Sequence, residues 1–272
     1  MSLFQKLTQK LDDWKTGVGG TWGIWIEDLH TEQRWSWNEA KTFYSASIIK
    51  VPIMIAVYRQ ADRGALELSR EVILRKEDQV GGSGVLQHLT PGTRFTVKDL
   101  VTLMIIQSDN TATNLLIDLL GKNVIRETMN ELGMTGSTFY NKLMILPANP
   151  EGINQITAED MARVYKALAT GKAISWHASQ EMVQILKKQQ LNDCFPYFLP
   201  SKNTDIVGSI PPYEMAHKTG MVTRILHDSG IFYIGSRAFI LVALSEGLNY
   251  HEAQKGLGEL ARLVFDVYTG QG

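Results

Sequence analysis

The stretch Ser47-Ile48-Ile49-Lys50 lies where the sequence changes from strand-like to helical patterning. Before it, residues 21–28 alternate apolar and polar side chains, and a polar turn leads to a second short run at 33–37, as in a β-hairpin. After it, from residue 51 to about residue 201, the patterning is mostly helical. These four residues therefore join a predicted strand pair to a predicted helical region.

The two ends of the chain are also predicted to be structured. Residues 1–20 and 252–268 each place apolar side chains on one helical face, which predicts a docked amphipathic helix at either end. Three apolar and aromatic runs, at 213–220, 230–235 and 238–244, are separated by turn signals and predict three further strands. The order is helix, strands, helical region, strands, helix.

This order predicts an α/β (α+β) protein. If the late strands pair with the early ones, residues 1–50 and 205–272 form one discontinuous α/β domain, and residues 51–204 form a helical domain inserted into it. We expect the active site between the two domains.

Composition narrows the class of partner. The chain has 272 residues, 44% of them hydrophobic, and a formal net charge of −1, so it can bury a large core. No dense run of lysine or arginine suggests a nucleic-acid or anionic-membrane surface, no apolar run is long enough to span a membrane, and a small-molecule substrate is expected instead. The single cysteine, Cys194, allows no internal disulfide and is expected to pack in the core. The six histidines show no metal-ligand spacing, so we expect neither a metal site nor a cofactor.

Two further motifs follow the first, Ser108-Asp109-Asn110 and Lys218-Thr219-Gly220. A serine hydroxyl is a weak nucleophile until a base removes its proton, and a lysine three positions later on a helix lies within reach of it. Burial near a second cation such as Lys218 would lower the pKa of Lys50 as that role requires. Taken alone, the first motif is better explained by a helix-capping serine and a solvated lysine, and the catalytic interpretation depends on all three motifs.

The three motifs in this order resemble those of class A β-lactamases and penicillin-binding proteins, and the similarity runs through most of the chain. The resemblance implies a β-lactamase-like fold, in which an antiparallel sheet is flanked by the N- and C-terminal helices and a helical lobe is inserted. It also implies acyl transfer to Ser47, with Lys50 as the base.

The resemblance assigns a role to each matching residue. Ser108 would pass a proton to the leaving nitrogen, Asn110 would contact Lys50 and the substrate amide, and Asp109 would be structural. The cation and hydroxyl of Lys218 and Thr219 would hold a substrate carboxylate. The backbone N–H groups of Met221 and Ser47 would form an oxyanion hole.

One expected element of class A enzymes is missing. Those enzymes carry a deacylating glutamate in a Glu-x-x-x-Asn pattern between the second and third motifs. In the matching stretch, residues 137–157, the only carboxylate is Glu151, which is followed four residues later by Gln155, with Asn154 one place early. The stretch has no arginine to secure the loop. Glu151 is either a displaced version of this glutamate or a solvent-exposed loop residue beside Gly152, and slow deacylation is expected.

Three functions remain open from the sequence. The leading hypothesis is a serine hydrolase that opens β-lactams, and the second is a D-alanyl peptidase or esterase with the same acylation chemistry. The third is a β-lactam-binding module that stays acylated.

We expect a monomer. No signal peptide is visible, which predicts a cytoplasmic protein if Met1 is native and an extracytoplasmic one if a leader has been removed. The Gly81-Gly82-Ser83-Gly84 segment lacks the features of a phosphate loop and is interpreted as a flexible rim of the cleft.

Overall fold

A computed structural model describes residues 1–144, 151–201 and 208–270. The strands of its main sheet are β1 (Thr21–Asp28), β2 (Arg34–Trp37), β7 (Glu214–Val222), β8 (Ile225–Ile234) and β9 (Arg237–Glu246). They form one antiparallel sheet in the order β2-β1-β9-β8-β7. Strand β7 lies at one edge of this sheet, and it carries the third motif.

The early and late strands pair as the predicted architecture requires. Strand β1 runs antiparallel to β9 along its full length, from Thr21 opposite Glu246 to Asp28 opposite Phe239. The α/β class and the antiparallel sheet are therefore confirmed. The proposed domain boundary at residues 204 and 205 lies outside the described residues, so that division stays a prediction.

The helices are α1 (Leu3–Gly17), α2 (Lys50–Asp62), α3 (Val97–Ile106), α4 (Asn110–Leu120), α5 (Lys122–Glu131), α6 (Ala158–Ala169), α7 (Trp176–Lys187) and α8 (Tyr250–Thr269). Two small two-stranded ladders lie among them, β3 (Phe43–Tyr44) with β6 (Gln155–Ile156) and β4 (Glu71–Ile73) with β5 (Arg94–Thr96). The middle of the chain is thus mainly helical, as predicted.

The two faces of the sheet are covered by different helices. The terminal helices α1 and α8 pack against each other and over one face, burying a core that includes Leu7, Leu11, Leu257 and Phe265. On the other face, α6 packs against β1, β8 and β9. Helix α2 is buried from Lys50 to Tyr58, because it runs through the centre of the helical region. The first motif therefore begins an element that is surrounded by protein.

One strand prediction is wrong at its start. The run predicted at residues 230–235 is only the second half of β8, which begins at Ile225. Gly230, the first residue of the predicted run, lies inside the strand opposite His217, where an added Cβ would clash with the Ala216 carbonyl oxygen. The glycine permits close packing of two strands here.

Candidate active site

The first motif sits on a tight turn. Ser47 lies in a 3₁₀ turn, Ala46–Ile49, which leads directly into α2. Ser47 therefore precedes the α-helix by one 3₁₀ turn, and the α-helix itself begins at Lys50. Ala46 has φ 42°, a left-handed conformation that is uncommon for alanine and is typical of strained functional segments. Strand β7 packs closely against this turn. An added Cβ at Gly220 would lie 3.2 Å from the Ser47 backbone nitrogen. The first and third motifs therefore meet at their backbones.

Lys50 joins the first motif to the second. Its Nζ lies 2.6 Å from the Ser108 carbonyl oxygen, 3.0 Å from Ser108 Oγ and 2.8 Å from Asn110 Oδ1. The side chain is fully buried. No hydrogen bond joins Lys50 Nζ to Ser47 Oγ in the part of the chain that the structure describes. The predicted convergence of Lys50 with Ser108 and Asn110 is present, whereas the direct contact with Ser47 is not formed.

The second motif is held in a defined orientation. Asn110 Nδ2 donates to the Gly81 carbonyl oxygen at 3.1 Å, which turns Asn110 Oδ1 toward Lys50. The Asn110 backbone N–H donates to the Ser83 carbonyl oxygen at 3.0 Å. Ser108 has φ 52°, again in the left-handed region. The predicted rim at residues 81–84 is therefore hydrogen-bonded to the second motif.

Asp109 is the buried anchor of this loop. Its Oδ1 accepts the Ala112 backbone N–H at 2.8 Å and caps α4. Its Oδ2 accepts the backbone N–H groups of Val85 at 2.7 Å and Leu86 at 2.8 Å. These three hydrogen bonds tie the second motif to the segment after the rim and support the structural role expected for Asp109.

The third motif supplies a second buried lysine. Lys218 is fully buried and its Nζ donates to the Thr219 carbonyl oxygen at 2.8 Å. Thr219 is also buried, whereas the Met221 side chain is 59% exposed at the end of β7. Met221 therefore contributes an apolar surface in addition to the backbone N–H that the sequence singled out.

The pKa values of both lysines are lowered. Burial lowers the pKa of Lys50 well below its usual range, the Lys218 ammonium lowers it further, and the Asp109 carboxylate acts in the opposite direction. Burial lowers the pKa of Lys218 to about 7, against the raising effects of Asp228 and Cys194. A lysine with a strongly lowered pKa can accept a proton near neutral pH.

A cavity of about 240 Å³ brings the motifs together at its wall. Ser47, Ser108, Thr219 and Met221 all line it. The remaining lining residues are Ser83, Gly84, Gln107, Leu191, Asp193, Cys194 and Leu226. Cys194 is buried in the core, as predicted, and it also borders this cavity. The 191–194 segment was not expected in the site, since no pattern in its sequence indicates chemistry.

Sequence reasoning also missed the contribution of His227. Its Nδ1 accepts the Ser245 backbone N–H at 3.0 Å, so its Nε2 carries the proton and donates to the Tyr44 carbonyl oxygen at 2.9 Å. The ring is fully buried, and burial lowers its pKa to about 4. This neutral histidine fastens the segment before Ser47 to the central strands. No local sequence pattern indicates this role of His227. It follows from the strand pairing, which places His227 opposite Gly220 of the third motif.

A second buried histidine lies beneath the third motif. His217 Nδ1 is 2.9 Å from Asp228 Oδ1, and Asp228 Oδ2 accepts the Phe195 backbone N–H at 3.0 Å. Both side chains are fully buried. Asp228 is the negative charge that holds up the pKa of Lys218.

The loop expected to carry a deacylating base is built differently. Residues 145–150 of the stretch lie outside the described residues. Asn154 Oδ1 accepts the backbone N–H groups of Tyr140 at 2.7 Å and Asn141 at 2.9 Å, and its Nδ2 donates to the Asn141 carbonyl oxygen. Asn154 thus braces the loop internally. Glu151 is exposed and does not line the described wall of the Ser47 cavity.

Within residues 1–144, 151–201 and 208–270, no three or more His, Cys, Asp or Glu side chains are grouped so that they could hold a metal ion. None of the helices described combines the length and the apolar character needed to cross a membrane.

Comparison with protein families gives one match over nearly the whole chain. The model of the β-lactamase enzyme family matches residues 6–268. A β-lactamase of Rhodobacter capsulatus is 34% identical over 104 residues, a match that covers 38% of this chain and 35% of that protein.

Comparison with solved structures extends over the full fold. A β-lactamase of Sphaerobacter thermophilus is 32% identical with a TM-score of 0.86, covering 98% of this chain and 97% of that one. The protein PBP-A has the same fold, with 22% identity, a TM-score of 0.84 and coverage of 97% and 96%.

Proposed function

The chain belongs to the β-lactamase enzyme family and is a serine β-lactamase-like hydrolase, and we propose that Ser47 is the residue acylated in its reaction. Ser47 Oγ attacks the carbonyl carbon of a β-lactam amide, and the hydroxyl proton passes to Lys50 Nζ. As the C–N bond breaks, Ser108 delivers a proton to the departing nitrogen. The negative charge on the former carbonyl oxygen is stabilised by the N–H groups of Ser47 and Met221.

The observation that carries this proposal is the set of contacts around Lys50. Two of its partners, the Ser108 carbonyl oxygen and Asn110 Oδ1, can only accept, so they take two N–H groups. The third partner, Ser108 Oγ, accepts from Lys50 Nζ at 3.0 Å, and its own hydroxyl hydrogen can turn toward a neutral amine. These contacts hold Lys50 beside the proton donor in either charge state, and burial favours the neutral form that a base requires.

The path from Ser47 to Lys50 closes when substrate binds. Their side chains do not hydrogen-bond in this structure, and catalytic hydrogen bonds commonly tighten only in the substrate complex. Ser108 Oγ, 3.0 Å from Lys50, links the base to the side on which the leaving group departs. Lys218 and Thr219 receive the substrate carboxylate on the neighbouring wall.

Within the family we propose an enzyme of the class A type that deacylates slowly. Class A enzymes use a glutamate-activated water, and the described wall of the Ser47 cavity carries a single carboxylate, Asp193, on the 191–194 segment. The Asn154 side chain, one place before the expected asparagine, is bonded within the loop through both its oxygen and its nitrogen. Acyl-enzyme should therefore accumulate with penicillins as a burst.

A chromogenic cephalosporin combined with intact-mass spectrometry tests the proposal. Wild-type protein should gain the mass of one ring-opened β-lactam, in a burst followed by slow turnover. Ser47→Ala should lose the adduct, and Ser45→Ala, on the same turn but outside the cavity wall, should keep it. An adduct that persists in Ser47→Ala would refute the assignment of the nucleophile.

A second candidate function uses the same acylation step on D-alanyl peptides or esters. The missing Glu-x-x-x-Asn pattern favours it over rapid β-lactam hydrolysis. Steady release of D-alanine from a D-alanyl-D-alanine peptide, together with a β-lactam adduct that does not turn over, would select this function. Acylation without turnover of either substrate would instead indicate a binding module.

A further inference from the structure

The wall of the Ser47 cavity has one charged side chain in the described part of the chain, that of Asp193. The two lysines of the motifs are completely buried beneath the wall, while Asp193 is exposed. Thr219, which would receive a substrate carboxylate together with Lys218, lines the same cavity. A negative charge therefore stands beside the proposed carboxylate site.

Asp193 is held in this place. The Tyr250 hydroxyl donates to its Oδ2, and Gln254 Nε2 donates to its backbone carbonyl oxygen at 2.9 Å. Burial and the hydrogen bond to Asp193 raise the pKa of Tyr250, so this donor keeps its proton at neutral pH. Among the described residues, the other carboxylate oxygen of Asp193, Oδ1, is approached only by the Cys194 thiol, at 4.0 Å. The Ser229 backbone N–H donates to Asp228 and not to Asp193. Oδ1 is thus available to a ligand in the cavity.

The charge arrangement favours one kind of substrate. A departing portion that carries only a carboxylate is repelled by Asp193 as it approaches Thr219, because like charges close together are unfavourable. A departing portion that also carries a cation gains an ion pair with Asp193. The balance therefore depends on the net charge of the group that leaves.

Building on the proposed function, we propose that Asp193 makes the Ser47 site selective for substrates whose departing portion is zwitterionic. The carboxylate of that portion lies against Thr219 and Lys218, and its ammonium or other cation lies against Asp193. A diamino-acid leaving group, or a β-lactam with a cationic substituent on the ring that bears the carboxylate, has this chemistry.

Two cephalosporins provide a matched pair of probes. Cephaloridine and cephalothin carry the same thienylacetamido group and the same ring carboxylate, but cephaloridine has a pyridinium cation at C3 where cephalothin has a neutral acetoxy group. The measured quantity is the ratio of their second-order rate constants for acylation of Ser47. Wild-type protein should favour cephaloridine, and Asp193→Asn should lower the ratio by about two- to fivefold, the range for a partly exposed ion pair.

Variants and salt separate charge from shape. Asp193→Glu should retain the preference and Asp193→Lys should reverse it. In 1 M salt, where the Debye length is about 3 Å, the difference between wild type and Asp193→Asn should shrink. Asp13→Asn removes the same charge from the exposed side of α1, and it should leave the ratio unchanged.

The outcomes also distinguish this inference from the function on which it rests. If both cephalosporins acylate wild-type Ser47 but the ratio is the same in Asp193→Asn and Asp193→Lys, the selectivity role is wrong and the acyl-enzyme proposal stands. If neither cephalosporin acylates wild-type protein, the proposed function fails and this inference fails with it.

Discussion

Replacing Asp109 by asparagine tests whether the second motif is held by a carboxylate. The three backbone N–H groups that Asp109 accepts reach both of its oxygens, and the side chain is 1% exposed. Asparagine keeps the shape but has one acceptor. If the asparagine oxygen accepts from Val85 and Leu86, its NH₂ group faces the Ala112 N–H, and two donors meet. In the reverse orientation, the NH₂ group faces the N–H groups of both Val85 and Leu86.

The expected loss follows from these contacts. Losing the N-cap of α4 costs about 1 kcal/mol, and leaving a buried N–H unsatisfied costs roughly 1–3 kcal/mol more. The total is about 2–4 kcal/mol, which for a chain of this size lowers Tm by roughly 4–7 °C. Asp118→Asn on the same helix breaks only an exposed pair with Lys142 and should cost less than about 1 kcal/mol.

A catalytic measurement completes this test. The Asp109 carboxylate raises the pKa of Lys50, so its removal should lower that pKa further. More Lys50 is then neutral at low pH, and the acidic limb of the acylation profile should move to lower pH. Thermal unfolding and stopped-flow acylation measure the two effects. A Tm within about 2 °C of the Asp118→Asn value, with an unmoved acidic limb, would refute the anchoring role.

Three other predictions concern the same site. Because the pKa of Lys218 is lowered to about 7, it loses its charge above that pH, and kcat/KM for a carboxylate-bearing penicillin should fall there while that for a neutral ester does not. Gly220→Ala places a methyl group 3.2 Å from the Ser47 nitrogen and should slow acylation on the order of tenfold; an unchanged rate would show that the close approach is unimportant. Glu151→Gln should leave acylation intact and change turnover less than a hundredfold, whereas a loss of a hundred- to ten-thousandfold would identify Glu151 as the deacylating base.

The sequence predicted the elements whose signals are local. Alternation of apolar and polar residues over 21–28 defined β1 with the observed bounds, Thr21–Asp28. The terminal helix was predicted at 252–268 and runs from Tyr250 to Thr269. The prediction began too late because it rested on the apolar face alone. The helix is capped by Asn249, whose side chain accepts the backbone N–H of Glu252.

Features that depend on distant contacts could not be predicted in this way. The predicted strand began too late, at Gly230, because the space beside this glycine is filled by a neighbouring strand, which a local pattern does not contain. His227 and Asp193 have no motif around them. The first acts through Tyr44, distant along the chain, and the second enters the cavity wall because the segment after α7 passes beside β7.

The motifs themselves predicted which residues meet but not how their charges are arranged. Ser-x-x-Lys spacing places Lys50 near Ser47, yet the observed partners of Lys50 are Ser108 and Asn110. In the mechanism that we propose, a base bound to the proton donor, rather than to the nucleophile, is set to return its proton to the leaving group once substrate has brought Ser47 within reach. Forming the acyl-enzyme then depends on buried, fully hydrogen-bonded groups. Breaking it would depend on a loop whose only carboxylate, Glu151, is exposed, so we expect the rates of the two steps to respond to different substitutions.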